Sequence, residues 1–225
     1  NSANSNSPFS PLNWTRPYFF PRTWWWYRSL FNPQHGQVTG EATPRYALLS
    51  QQRIRRIHAK LPNLKIIYLM RDPIDRLWSD AAMFQSPRFG GQGGHPVQVE
   101  KMEAMLAAPE LMEQSRYHKN LTKWELAYGA ENVCVGFYDQ IESDPRSLLK
   151  KIFGFLGVDP QVEMSDELIS RKVNQNQYPP MPSRLIHRAA RELMEDVKLL
   201  DQRFQNEFTA AWLARASDAC ALCIS

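Results

Sequence analysis

The chain has 225 residues, 43% hydrophobic and 22% charged, the balance of a soluble globular protein of one domain, or of one domain with a helical extension. Its net charge of +4 arises from 27 basic and 23 acidic residues, too mild an excess to imply nucleic acid but compatible with a local cluster of arginine and lysine for a small anion. No apolar run approaches the ~20 residues that cross a bilayer; no basic-then-apolar leader is visible, so the expected compartment is the cytoplasm; three cysteines are too few for a disulfide framework.

Residues 1–17 are rich in Ser, Asn and Pro at their start and are expected to be flexible. An aromatic cluster, YFFPRTWWWYRSLF, fills 18–31 and reads either as a packing plate or as a ligand-stacking surface. Pro44 interrupts the stretch from Gly36 to Ser50, and Gly40 and Thr43 suggest a turn. In 51–61, apolar residues at 54, 57 and 61 have the spacing of an amphipathic helix. LKIIYLM, up to Met70, is a continuous β-rich run of the kind buried on both faces of a parallel sheet. The segment 87–95, PRFGGQGGH, carries four of the ten glycines and is a loop, either a lid or a surface excursion. A short helix is expected within 96–114 and another in YHKNLTKWELAYG, followed by a second strand, VCVGFY, at 133–138. SLLKKIFGFLG is a helix that stops at Gly157, an irregular stretch follows, and 183–204 is a long amphipathic helix. Residues 208–225 read as a poorly constrained tail. The order helix–strand–helix, repeated, predicts an α/β fold with a central parallel sheet flanked by helices.

Cys134 lies in an apolar run and reads as core, while Cys220 and Cys223 form one CxxC with no second pair to close a zinc site. No cluster of His, Cys and carboxylates has ligand spacing, so no metal is expected. His118 is a lone histidine on a helix that packs or points to solvent.

Ligands of parallel α/β sheets bind at the carboxyl ends of the strands, and Arg71 stands at that end of the first one. Asp72 suits an N-cap, Pro73 a first helical residue, and Asp75 complements the helix dipole. Arg76 and Ser79, three apart, share a helix face. Two readings are open here: Arg71 and Ser79 converge on an anion, for which the planar guanidinium fork is suited, or the arginines pair with Asp72, Asp75 or Asp80.

The run RDPIDRLWS resembles the 3′-phosphate-binding segment of sulfotransferases, R-[ND]-P-x-[DE]-R-x-x-S. Further blocks follow the family's order: WYRSLF from Trp26, GEATPRY from Gly40, Ser115-Arg-Tyr with Leu121 and Trp124, Val135-Gly-Phe-Tyr-Asp, Asp144-Pro and Phe155-Leu-Gly157. The resemblance covers about 24–200 and is closest in flavour to bacterial and heparan-type members. It implies one sulfotransferase-like domain over 1–225 with a P-loop-like three-layer fold. It also implies transfer of a sulfuryl group from 3′-phosphoadenosine 5′-phosphosulfate (PAPS) to a hydroxyl or amine, leaving adenosine 3′,5′-bisphosphate. By matching, Arg71 and Ser79 hold the donor's 3′-phosphate, and Tyr138 lies near the adenine. Arg171 and Lys172 fall where a late basic loop clamps the same phosphate, although ordinary loop solvation accounts for them too. Glu41, the carboxylate of the GEATPRY block, is the candidate catalytic base; it is equally a candidate partner for Arg45 or Arg71. The acceptor is a small molecule or a carbohydrate, and no nucleic acid or transmembrane segment enters.

Sulfuryl transfer, like phosphoryl transfer, is served mainly by positioning and electrostatic stabilisation, with a base to take the acceptor's proton. The family's other signature, a strand followed by P-K-x-G-T-T for the 5′-phosphosulfate, is not read in the residues ahead of Trp24, which suggests a fragment, dropped residues or a degenerate member. A non-catalytic binding or scaffold protein on the same frame is the alternative function, and a nucleotide kinase a third.

Overall fold

The structure, a computed structural model, describes residues 23–31, 33–84, 98–170 and 178–221. Contacts separate the chain into two compact units, Asn1–Thr43 and Pro44–Ser225. The flexible segment expected at 1–17 and the glycine loop at 87–95 lie outside the described residues.

In the first unit, helix α1 (Trp24–Ser29) starts where Thr23 accepts a hydrogen bond from the Trp26 amide at 3.2 Å. Tyr27 stacks between Trp24 and Phe31, with ring centroids at 5.7 and 5.2 Å. None of the residues of α1 is buried, so its described aromatics pack on one another rather than into a core.

In the second unit, a 3-10 turn (Pro44–Leu48) leads to α2 (Gln51–His58), capped by Ser50. Strand β1 (Ile66–Met70) follows, then α3 (Pro73–Phe84), α4 (Val99–Leu106), α5 (Pro109–Gln114) and α6 (Tyr117–Tyr128). The single helix expected within 96–114 is two, because Pro109 begins a new helix. Strand β2 (Val133–Phe137) lies parallel to β1, pairing Ile66 with Val133 through to Met70 with Phe137. Tyr138, read as the end of the strand, instead opens α7 (Tyr138–Ser143). Helix α8 (Pro145–Leu156) has Asp144 as N-cap and ends at Gly157, whose φ of 77° places it in the left-handed region glycine favours. After α9 (Asp166–Ser170) come the long α10 (Ser183–Phe204) and α11 (Glu207–Ala221). The arrangement is the α/β fold with a parallel sheet that the alternation of elements predicts, with two strands among the described residues.

Two departures have physical causes. Among the described residues strand β1 is covered mainly on one face, not on both as its apolar run suggests: Met70 is fully buried, while Ile67 and Leu69 are 39% and 46% exposed. The segment after 208, expected to be a loose tail, is helix α11, with Thr209, Trp212 and Ala216 buried. Small alanines let it lie close to α10, and Phe208 and Trp212 stack on Phe137 at the carboxyl end of β2, with centroids at 5.3 and 5.7 Å.

The core gathers Leu77, Trp78, Met102, Leu193, Val197 and Leu200 on one side, and Ile54, Leu121, Trp124, Tyr128 and Val133 around α2 and α6 on the other. A buried carboxylate ties the parts together. Asp196 of α10 accepts from the backbone amides of His118 at 3.0 Å and Lys119 at 3.1 Å, satisfying the open N-terminus of α6 from a distant helix. His118 thus contributes its backbone here. Burial pushes the Asp196 carboxyl up, against the pull of those two amides.

Gly136 is required by close approach. A Cβ there would meet Leu69 Cδ2 at 2.7 Å and Leu148 Cδ1 at 2.8 Å. Gly136→Ala is therefore expected to cost about 1–3 kcal/mol through overpacking, read as a lower midpoint in urea unfolding; an unchanged midpoint would mean that α8 gives way freely. Asp196→Ala orphans two amides and is expected to cost about 1–3 kcal/mol in the same titration; a loss under about 0.5 kcal/mol, the scale of an ordinary surface change, would remove the capping role.

Candidate functional site: an arginine at the mouth of the sheet

The carboxyl end of β1 is fixed from both sides. Met70 is buried in the core, and the next residue, Arg71, donates its backbone N–H to the Tyr117 hydroxyl at 3.3 Å. Burial pushes the Tyr117 phenol up to about 12, against Arg76 and the Arg71 amide, so the hydroxyl stays protonated and neutral at physiological pH. Asp72 then caps α3: its Oδ1 accepts from Ile74 N at 2.8 Å and Asp75 N at 3.1 Å.

The arginines of this junction have different partners. Arg76 donates to Asp80 Oδ2 at 2.6 Å and to Ser115 Oγ at 3.1 Å, so the second arginine of the motif is structural. Arg215, on α11, reaches Asp72 Oδ2 at 2.7 Å and Asp75 Oδ1 at 2.8 Å. Arg71 forms no ion pair among the described residues. Its guanidinium carbon lies 5.1 Å from the centroid of the Tyr138 ring, and that ring is 43% exposed. Of the two readings of these arginines, pairing with carboxylates holds for Arg76 and not for Arg71.

The electrostatics follow from burial and charge. Burial pushes the Asp80 carboxyl up, and the charges of Arg76, Arg45 and Arg71 pull against it. Burial likewise pushes Asp72 up, opposed by Arg215 and by the Asp75 amide. Asp80 thus lies in the field of three guanidiniums and is ion-paired to one of them.

Ser79 lies half-buried on α3, one turn beyond Arg76. Beside it, the Trp78 indole N–H donates to the Pro179 carbonyl at 2.7 Å and anchors the start of the segment leading to α10. Arg71, Ser79 and Tyr138 therefore belong to the elements that meet at the end of the sheet. Glu41 belongs to the first unit, where its Oε1 accepts from the Tyr27 hydroxyl at 2.7 Å. Arg171 and Lys172 lie outside the described residues.

Sequence reasoning missed Arg215 and the part played by Tyr117. Tyr117 stands in a motif block that was matched without a role for it; Arg215 stands in the segment read as a tail and carries no local signal. No helix among the described residues is long and apolar enough to cross a membrane.

Comparison with known proteins bears on the family and the fold. The chain is 28% identical over 150 residues to human heparan sulfate glucosamine 3-O-sulfotransferase 6, a match covering 64% of this chain and 44% of that protein. It is 24% identical over 143 residues to mouse carbohydrate sulfotransferase 15, covering 55% of this chain and 26% of that protein. The chain thus spans less than half the length of these relatives. The crystal structure of a sulfotransferase from Alicyclobacillus acidocaldarius superposes with a TM-score of 0.62 at 20% identity, over 89% of this chain and 78% of that one, and shares its fold. A family model for the sulfotransferase domain matches residues 11–208, and with that span the chain belongs to the sulfotransferase family.

Proposed function

We propose that this protein is a PAPS-dependent sulfotransferase that transfers a sulfuryl group to a carbohydrate hydroxyl or amine. One observation carries the reading: Arg71, at the carboxyl end of β1, has no carboxylate partner among the described residues and is held over the Tyr138 ring. An arginine in that state has its donors available for two oxygens of a phosphate. The carbohydrate acceptor is favoured by the relatives, whose names specify heparan sulfate glucosamine and carbohydrate as what they sulfate.

In this reading Arg71 and Ser79 bind the 3′-phosphate of the donor, and the exposed Tyr138 ring offers a face for the adenine. Arg171 and Lys172 are assigned as further phosphate contacts from the late basic loop, on motif position alone. PAPS supplies the activated sulfuryl group. In the transfer, the bond from sulfur to the donor's phosphate oxygen breaks, a bond from sulfur to the acceptor oxygen or nitrogen forms, and the acceptor's proton passes to a base. Adenosine 3′,5′-bisphosphate is released. Glu41 is proposed as that base: its carboxylate already accepts one hydrogen bond, from Tyr27, which would orient it.

Calorimetry separates the 3′-phosphate from the rest of the nucleotide. The chain is expected to bind adenosine 3′,5′-bisphosphate at least about tenfold more tightly than adenosine 5′-monophosphate, as a charge-assisted pair provides. Arg71→Ala should abolish that preference and leave the monophosphate affinity unchanged. Equal affinity of the unaltered chain for both nucleotides overturns the donor assignment. For the base, Glu41→Gln should lower the rate of sulfate incorporation into a heparan oligosaccharide by about a hundredfold or more with bisphosphate affinity intact; an undiminished rate would reassign the role.

A further inference from the structure

Three carboxylates follow Arg71 at the start of α3, Asp72 by one position, Asp75 by four and Asp80 by nine, and the last lies in the field of Arg71. A guanidinium next to such a group would ordinarily pair with it. Yet each of the three carboxylates is bound to an arginine other than Arg71. Arg76 takes Asp80 at 2.6 Å. Arg215 takes one oxygen from Asp72 at 2.7 Å and one from Asp75 at 2.8 Å, while the remaining Asp72 oxygen caps α3. Arg71 rests on an aromatic face, a contact that holds the guanidinium without using its N–H donors.

We infer that Arg215 is a positioning residue for the anion site: from the C-terminal helix it takes up Asp72 and Asp75 and so keeps the Arg71 guanidinium free for phosphate. The ligand part of this inference rests on the donor-binding reading above; the part concerning Arg71 does not. Arg215 suits the task because its planar fork spans two carboxylates three positions apart, one capping α3 and one in its first turn, which a lysine's point charge does not do. Its removal leaves Asp75, four positions on from Arg71, with no cation bound to it among the described residues, and Arg71 then turns from Tyr138 to pair with it. The site would be lost through capture of its key side chain, with the fold retained.

The test uses the 225-residue chain with Arg215→Ala, Arg215→Lys and the double variant Arg215→Ala/Asp75→Asn. Circular dichroism and thermal melting establish folding. Crystal structures report where Arg71 points, and calorimetry reports affinity for adenosine 3′,5′-bisphosphate. In Arg215→Ala, Arg71 is expected in an ion pair with Asp75, since Asp72 stays tied to the first amides of α3, with bisphosphate affinity lowered about tenfold. The lysine variant should fall between, and Asp75→Asn in the alanine background should restore most of the affinity. Should the alanine variant fail to fold, Arg215→Gln, which keeps length and hydrogen bonding without the charge, takes its place. Arg71 remaining over Tyr138 in the folded variant overturns the inference. So does a loss of affinity that Asp75→Asn leaves uncorrected, since that would mark a purely structural contact. If the unaltered chain itself does not bind the bisphosphate, the donor reading fails, and the position of Arg71 in the variant crystals alone decides the role of Arg215.

Discussion

A guanidinium that is to receive an anionic ligand must be protected from the carboxylates of its own chain. At the junction of β1 and α3 this competition is severe, because the residues that start the helix well are acidic. Asp72 is a good N-cap and Asp75 complements the helix dipole, so helix formation itself brings negative charge next to Arg71. Arg215 resolves the conflict by taking both carboxylates into partly buried pairs, and Arg76 does the same for Asp80. The arrangement is stable because each pair is also held by further hydrogen bonds: Arg76 to Ser115, and Asp72 to two backbone amides.

The rest of the second unit holds these side chains in place. The buried Tyr117 receives the Arg71 amide, and its own ring packs edge-on against Tyr68 of β1, with centroids 6.1 Å apart. Tyr117 belongs to α6, whose N-terminus is capped by Asp196 of α10, and α10 in turn packs against α11, which carries Arg215. Backbone, cap and ion pair thus form a closed circuit of contacts from β1 through α6, α10 and α11 back to the start of α3. Trp78 adds a direct tie from α3 to Pro179, ahead of α10. A site on such a frame is positioned by several elements at once, the condition for holding a charged side chain in one orientation.

Membership of the sulfotransferase family bears on the fold and on the class of chemistry, while the relatives are much longer than this chain. The proposed donor contacts depend on residues of the second unit, and the proposed base, Glu41, belongs to the first. Binding and transfer are therefore separable in experiment, and a chain that grips the bisphosphate without transferring sulfate would locate the deficit on the acceptor side or at the 5′-phosphosulfate.

The sequence by itself determined the elements whose signals are local. The β-rich run up to Met70, the Asp72-Pro73 start of α3, the Asp144-Pro145 start and Gly157 stop of α8, and the periodicity of α10 each depend on residues within a few positions of one another. The motif blocks were legible for the same reason, and they pointed to Arg71 and Tyr138. Tertiary structure alone decided which arginine is left without a carboxylate among the described residues. That choice is made by Arg215, far along the chain in a helix whose small, alanine-rich pattern gave no strong amphipathic signal, and by the packing of Phe208 and Trp212 on Phe137 that brings the helix in. Ion pairing is a short-range contact between groups distant in sequence, so composition and spacing carry the charges but not the assignment of partners.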